Sequence, residues 1–247
     1  MYSGLYTAAT GMLVQQLRQE VVSQNLANLN TPGYKQRHAV NRTFSDVLLH
    51  RLSESKGVVP IGTTNRGVQI DDVPVDWTQG TFEATDSSFD FALQGKGFFT
   101  INTPEGSMYT RNGHFQVDEE GFLVSSPGNY IMGDAGPIWV GREEFAVYPD
   151  GTVAVQDETI DKLHLVDFTS DKIIPVADGL FKAVPESEEA PSNARVRQGY
   201  LEKSNIDPVN QVVRMMEAAR AFEANQRVVQ VYDQIMSKGA NEIGSLR

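Results

Sequence analysis

DPVNQVVRMMEAARAFEANQRVVQVYDQIMSKGANEI, residues 207–243, decides how the rest of the chain is read. Met215, Phe222, Val229, Met236 and Ile243 recur every seven residues. Apolar residues in strict heptad register predict one long helix with a seam. Val212, Ala218, Ala219, Tyr232 and Ile235 widen that seam, and Arg214, Glu217, Arg220 and Glu223 lie between its positions. Asp207 is placed to cap the helix, and Pro208 fits the first helical position, where no N–H is needed. A helix cannot bury such a seam by itself, so it requires a partner.

The partner expected is at the other end of the chain. Residues 3–29 predict a second helix, with Ser3 as its cap. Leu5, Met12 and Leu26 share one heptad position, and Ala8, Val22 and Leu29 share another. Gln15, Gln16 and Gln19 interrupt the stripe. The helix is expected to stop near Asn28–Thr31, because Pro32-Gly33 cannot continue it and proline disfavours helical geometry at the residue before it. Two amphipathic ends predict an antiparallel helical hairpin or a bundle.

Between them the period changes. Residues 34–65 combine a helix-like stretch, FSDVLLHRL, with the polar, breaker-rich SESKGVVPIGTTNRG, and read as a linker with a short helix or extended arm. From Gly67 the period becomes two. VQIDDVPVDW alternates, FDFALQG and GFFTIN are split by Gly95 and Gly97, and turns are expected at Thr103–Gly106, Asn112-Gly113, Asp118–Gly121 and Pro149–Gly151. Short strands at this spacing predict an antiparallel β domain. The stretch PESEEAPSNA at 185–194 reads as an exposed acidic loop.

The fold class expected is therefore α+β. Long N- and C-terminal helices pair as a coiled-coil-like domain, with an antiparallel all-β domain inserted between them. The boundaries expected are 1–35 plus 203–247 for the helical assembly domain, 36–66 for the linker or arm, and 67–202 for the β domain.

The 247 residues carry a net charge of −11, which disfavours nucleic acid and anionic membrane surfaces as partners. Residues 1–35 sum to +1 and residues 205–247 to zero, so the acidity lies in the middle. There is no cysteine, which removes disulfides, thiol catalysis and cysteine metal sites. No run approaches the eighteen or so apolar residues of a membrane helix. MYSGLYTAATGMLVQQ lacks a basic region and a continuous apolar core, so it does not read as a cleavable secretory signal.

Catalytic patterns are not evident. Gly95-Lys96-Gly97 sits between strands and lacks the third glycine of a dinucleotide loop. His38, His50, His114 and His164 are scattered, without metal-ligand spacing. Asp71-Asp72 lies in an alternating strand, where neighbours point to opposite faces, so paired acid–base work is not expected. Glu186, Glu188 and Glu189 read as solvated, with weak divalent-ion binding as the alternative. No catalytic, cofactor or metal residues are expected, and the reading is of a non-enzyme.

Three motifs sharpen this picture. SQNLANLNTPGYKQ at 23–36, preceded by LYTAATGM at 5–12, resembles the N-terminal signature of the flagellar rod and hook axial proteins. FALQGKGFF with YTRNGHFQVDEEGFLV is similar to their first β domain, and GYLEKSNIDPVNQVVRMMEAARAFEANQRVVQVYDQ at 199–234 resembles their C-terminal domain. The length resembles the rod members (FlgF/FlgG type) more than hook proteins, which insert a further outer domain. The resemblance implies a structural subunit of the basal-body rod that leaves the cell through the flagellar type III export apparatus. It implies polymerisation into a hollow helical tube that transmits torque from motor to hook.

The partners so implied are copies of the chain and neighbouring rod or hook subunits. The location implied is the basal body, outside the cytoplasmic membrane, without membrane insertion. The assembly residues expected are Leu5, Met12, Val22, Leu26, Asn28, Thr31, Pro32, Gly33 and Tyr34 at one end. At the other they are Met215, Phe222, Val229, Tyr232, Met236 and Ile243. Alternatives are a hook-type axial protein, an extracellular coiled-coil fibre or adhesin whose β domain binds a ligand, and a β-fold hydrolase of cell-wall sugar.

Overall fold

Asp207 caps the C-terminal helix as its side chain predicts. Its carboxylate accepts from the backbone N–H of Val209 at 3.0 Å and of Asn210 at 3.4 Å, which satisfies two of the free donors at a helix start. These features come from a computed structural model, which describes residues 2–45, 47–53, 57–126, 128–141, 145–156, 158–168, 173–176, 179–184, 187 and 189–244. Two helices enclose the strands in sequence: α1, Tyr2–Ala27, and α2, Pro208–Gly244. Ser3 lies inside the first turn of α1 and not ahead of it.

The chain divides into two compact units, and the division differs from the boundaries expected above. The first unit comprises Met1–Ala27, Arg37–Asp76 and Asp207–Arg247; the second comprises Asn28–Gln36 and Trp77–Ile206.

In the first unit α1 and α2 pack together, and α1 also contacts a small ribbon. That ribbon is built from β1, Val40–Thr43, and β4, Val68–Asp72, paired antiparallel. Between them β2, Val47–Ser53, and β3, Gly57–Thr64, form a hairpin. Of the short helix or extended arm expected here, VLLHRL takes the extended form, as a strand. The Val-rich stretch at 57–64 supplies a local backbone partner, and pairing overrides a weak helical propensity. VQIDDVPVD, up to Asp76, likewise belongs to the helical unit, and Trp77 begins the second. Gly67, just before β4, sits where any Cβ would overlap the Thr10 side chain of α1. Asp71 pairs with Arg42 at 3.5 Å on the surface.

The second unit is antiparallel throughout its described pairings. Its strands are β5 (Phe82–Ala84), β6 (Phe91–Gln94), β7 (Phe98–Thr103), β8 (Gly106–Thr110), β9 (Phe115–Val117), β10 (Leu123–Ser125), β11 (Tyr130–Ile131) and β12 (Phe145–Val147). They continue with β13 (Thr152–Val155), β14 (Glu158–Lys162), β15 (Leu165–Asp167), β16 (Ile173–Pro175), β17 (Leu180–Ala183), β18 (Ala190–Pro191), β19 (Arg195–Gln198) and β20 (Tyr200–Glu202). The main sheet runs β16-β17-β8-β7-β11-β10-β9, with β15 pairing both β7 and β18. A second sheet runs β12-β13-β14, and two ribbons join β19 to β6 and β20 to β5.

The turns at Thr103–Gly106, Asp118–Gly121 and Pro149–Gly151 each close a hairpin. Asn112-Gly113 does not. β8 pairs with β7 and β17, and β9 pairs with β10, so this dipeptide is a passage between non-neighbouring strands. The physical reason is that Gly113 lies against the Phe91 backbone, whose N–H it accepts at 2.9 Å, with no room there for a Cβ.

Alternating strand residues build two clusters. The larger includes Phe91, Phe99, Ile101, Phe115, Leu123 and Ile138, with Phe99 and Phe115 in edge-to-face contact at 5.2 Å. The smaller holds Phe98, Tyr109, Val166, Ile173 and Phe181, against which Trp77 packs edge-on to Phe98 at 5.4 Å. Tyr109 donates to the Glu189 carboxylate. Burial first, and that carboxylate second, push its hydroxyl far above the usual tyrosine range.

Candidate assembly surface

The helices of the first unit run antiparallel in one heptad register. Gly4 lies at Tyr232, Gly11 at Asn225, and Asn25 at Gln211. Each step of seven along α1 meets a step of seven back along α2. Glycine stands at the first two contacts, where a larger side chain would displace the end of its partner. A Cβ on Gly4 would overlap the Tyr232 hydroxyl, and one on Gly11 would come within 2.9 Å of Asn225 Nδ2. Ala8 and Ala218 are buried on the same helices. Small residues let helix axes approach closely, and they share α1 with the buried Val14, Val21 and Val22.

The third contact is polar and enclosed. Asn25 Nδ2 donates to the Arg37 carbonyl at 2.9 Å, and the Arg37 N–H donates to Asn25 Oδ1 at 3.1 Å. This two-way bond orients the Asn25 amide, which then donates to Gln211 Oε1 at 3.4 Å. Both amides are about 1% exposed. A buried amide pair on a heptad seam specifies register, because a slip would strand its polar groups.

The large apolar residues flank this line. Phe222, Val229 and Tyr232 are half-buried, while Met215 and Met236 are exposed. On α1, Val22 is buried, and Leu5, Met12 and Leu26 are half-buried. Ile243 lies within α2, but its side chain is outside the described residues. Further round α2, Val212, Val213, Met216, Val228, Val231 and Ile235 stand between about 42% and 53% exposed. Tyr6, Leu13 and Leu17 are exposed on α1. Exposed large apolar residues in such number are characteristic of interaction surfaces.

From Asn28 onward, the Asn-rich motif belongs to the second unit. Thr31 bonds back to Asn28 through both its N–H and its hydroxyl, at 3.2 Å each, and the Tyr34 N–H reaches the Thr31 carbonyl at 3.3 Å. Asn28, Thr31 and Pro32 are half-buried, and Gly33 and Tyr34 are buried. Gly33 has φ +69° and donates to the Glu202 carbonyl at 2.7 Å. Its missing side chain would fall on the Arg111 backbone. Only glycine meets both demands.

Beyond Gly33, the chain inserts Lys35. Its ammonium meets Glu202 Oε1 at 2.6 Å and the Thr78 carbonyl at 2.8 Å. Arg111 Nε donates to the other oxygen, Glu202 Oε2, at 3.0 Å, and the Gly80 N–H donates to Oε1 at 3.0 Å. The rest of the guanidinium is spent on the carbonyls of Gly97 at 2.5 Å and Gly95 at 2.6 Å. The Gly95-Lys96-Gly97 loop thus presents backbone carbonyls to a buried cation. All three charged side chains are buried, which is tolerated only because each is paired and hydrogen-bonded.

Sequence reasoning missed this triad, as it missed the Asn25–Gln211 amides. Lys35 and Glu202 sit inside recognisable motifs, but nothing local marks two charges so far apart as partners. Among the described residues, no group of three or more His, Cys, Asp or Glu is arranged to hold a metal ion. No described helix is long and apolar enough to cross a membrane.

Comparison with known proteins covers these features. Residues 5–35 match the family model described as flagella basal body rod protein. Residues 92–155 match the flagellar hook protein FlgE/F/G D1 domain, and residues 197–243 the C-terminal part of flagellar basal body rod FlgEFG proteins. Gly33, Lys35, Arg111 and Glu202 all lie in matched segments. The chain is 34% identical to the flagellar hook-basal body complex protein FlhO of Bacillus subtilis over the whole of both chains. It is 33% identical to the flagellar basal-body rod protein FlgG of Caulobacter vibrioides, over 94% of this chain and 96% of that one. It is 32% identical to FlgG of Agrobacterium fabrum over the same shares. With relatives this similar along nearly its whole length, the chain belongs to the flagellar basal-body rod protein family.

Proposed function

We propose that this chain is a self-assembling structural subunit of the flagellar basal-body rod, polymerising through its helical unit into a hollow helical tube that carries torque from motor to hook. The observation that carries this reading is the apolar surface left over by helix pairing. With α1 and α2 paired, Met215, Met216, Val231, Ile235 and Met236 remain exposed on a single helix. A head-to-tail contact that does not close into a ring propagates as a helical filament. Neighbouring rod and hook subunits are the other partners.

The proposal extends to export through the flagellar type III apparatus and to the absence of catalysis. The test is polymerisation of the purified chain. Sedimentation and electron microscopy should show concentration-dependent tubes or filaments. Hydrogen exchange in α1 and α2 should be fast in the monomer and slow in the polymer, because helices that lack tertiary packing on one face are marginal. A stable dimer or trimer that never grows longer would sink the reading and favour a coiled-coil fibre instead.

A further inference from the structure

The helical unit contains a pocket of about 410 Å³ whose lining includes Arg18, Arg37, His38, Gln211, Arg214 and Glu217. Its chemistry is unbalanced. Three arginines line it against a single acidic residue, in a chain whose net charge is −11. Among the described residues, no ion pair joins Glu217 to Arg18, Arg37 or Arg214. Arg214 Nη1 instead lies 3.3 Å from His38 Nδ1, whose other ring nitrogen is 3.9 Å from Asp76.

A second observation points the same way. Gln211 is 1% exposed, and its Nε2 has no hydrogen-bond partner. The amide cannot simply turn over. The Arg37 backbone fixes Asn25, and Asn25 Nδ2 donates to Gln211 Oε1, so the Gln211 NH2 is held on the other side. Arg37 Nε is also enclosed without a partner. Gln211 and Arg37 both line the cavity, and an acceptor that reached these enclosed donors would remove the cost of leaving them unpaired. A carboxylate supplies two oxygens and the missing charge, and arginine binds it in a two-pronged fashion.

We propose that this pocket receives an aspartate or glutamate side chain from a neighbouring copy of the chain, an inference that rests on the polymerisation proposed above. The position of the pocket favours that source. Arg214 is set among Val212, Val213, Met215 and Met216, the exposed apolar residues that polymerisation would cover. A carboxylate seated there fixes the register of one subunit on the next, which the apolar residues alone do not.

The experiment uses the full chain in two isotopic forms, one at natural abundance and one labelled with nitrogen-15. Sedimentation of the wild type comes first; failure to polymerise overturns both the rod reading and this inference. Polymers are then formed from mixed copies of Arg18→Lys, and separately of Arg214→Lys, and treated with a carbodiimide that joins an amine directly to a carboxylate. Mass spectrometry should find cross-linked peptides carrying both labels, with the introduced amine coupled to an acidic residue of the other copy. Wild-type polymer combined with coupling confined to single-label pairs, such as to Glu217 of the same chain, overturns the inference alone. Wild-type polymer with no coupling at either position does the same.

Discussion

Lys35 and Glu202, 167 positions apart, meet at 2.6 Å inside the β unit with side chains only 2% and 1% exposed. Arg111 shares the same carboxylate from the other side. Removing the carboxylate strands two enclosed cations. Glu202→Gln should therefore cost about 3–5 kcal/mol of β-unit stability. The control is Lys203→Ala, one residue on. Lys203 pairs with Glu83 at 3.0 Å, but both are more than half exposed, so its loss should fall within about 0.5 kcal/mol. Denaturant titration of both variants measures the contrast, and equal effects would refute the role given to the triad.

Gly33→Ala should destabilise the same unit. A left-handed backbone costs a non-glycine residue about 1–2 kcal/mol, and the added methyl also meets the Arg111 backbone, which cannot swing aside. A thermal melt of the β unit that stays at the wild-type midpoint would contradict this.

Substitutions at Gly11 should depend on size. The nearest atom to a new Cβ is the end of the Asn225 side chain, which can move. Gly11→Ala is then nearly neutral, helped by about 1 kcal/mol of helix propensity. Gly11→Leu needs space that the paired helices do not have, and should raise hydrogen exchange throughout α1 and stop polymerisation. A Leu variant with wild-type exchange would mean that the contact is not close.

Charge placed on the exposed face of α2 should separate folding from assembly. Ile235 is 53% exposed, so Ile235→Asp should change monomer stability by no more than about 0.5 kcal/mol. Phe222 is half-buried, and Phe222→Asp should loosen the helices while leaving the β unit's melt unchanged. Both should abolish filaments, because an unpaired charge is costly in an apolar contact. Filaments of normal length from Ile235→Asp would remove that row from the interface.

Core truncation should act in the opposite sense. Phe115 is enclosed against Phe91 and Phe99, and Phe115→Ala should cost the β unit about 3–5 kcal/mol. Hydrogen exchange within α1 and α2 of the folded protein should not move.

Much of this was legible in the residues. The heptad of Met215, Phe222 and Val229 locates α2, Asp207-Pro208 locates its start, and Pro32-Gly33 lies beyond the end of α1. What periodicity could not reveal is which stripe makes the pairing. Hydrophobic patterns give weight to methionine and phenylalanine, whereas the contact line uses Gly4, Gly11, Asn25, Gln211 and Asn225, which carry no apolar signal. In FSDVLLHRL a short helix and an extended arm both stay open on the residues alone, since the strand partners of VLLHRL come from the breaker-rich stretch that follows. Lys35, Arg111 and Glu202 were unreadable as a set because tertiary pairing leaves no local spacing. The pocket beside Gln211 was hidden for the same reason.

The antiparallel helix contact has a kinetic consequence. Asn25 finds Gln211 186 positions away, and Lys35 waits for Glu202. Contacts of such high order form slowly, since a large loop must close before any gain is realised. Neither unit can be completed from an N-terminal fragment, because each needs residues beyond 200. Synthesis must therefore pass residue 200 before either unit has all its contacts, and a chain not yet closed is the form that a narrow channel can accept.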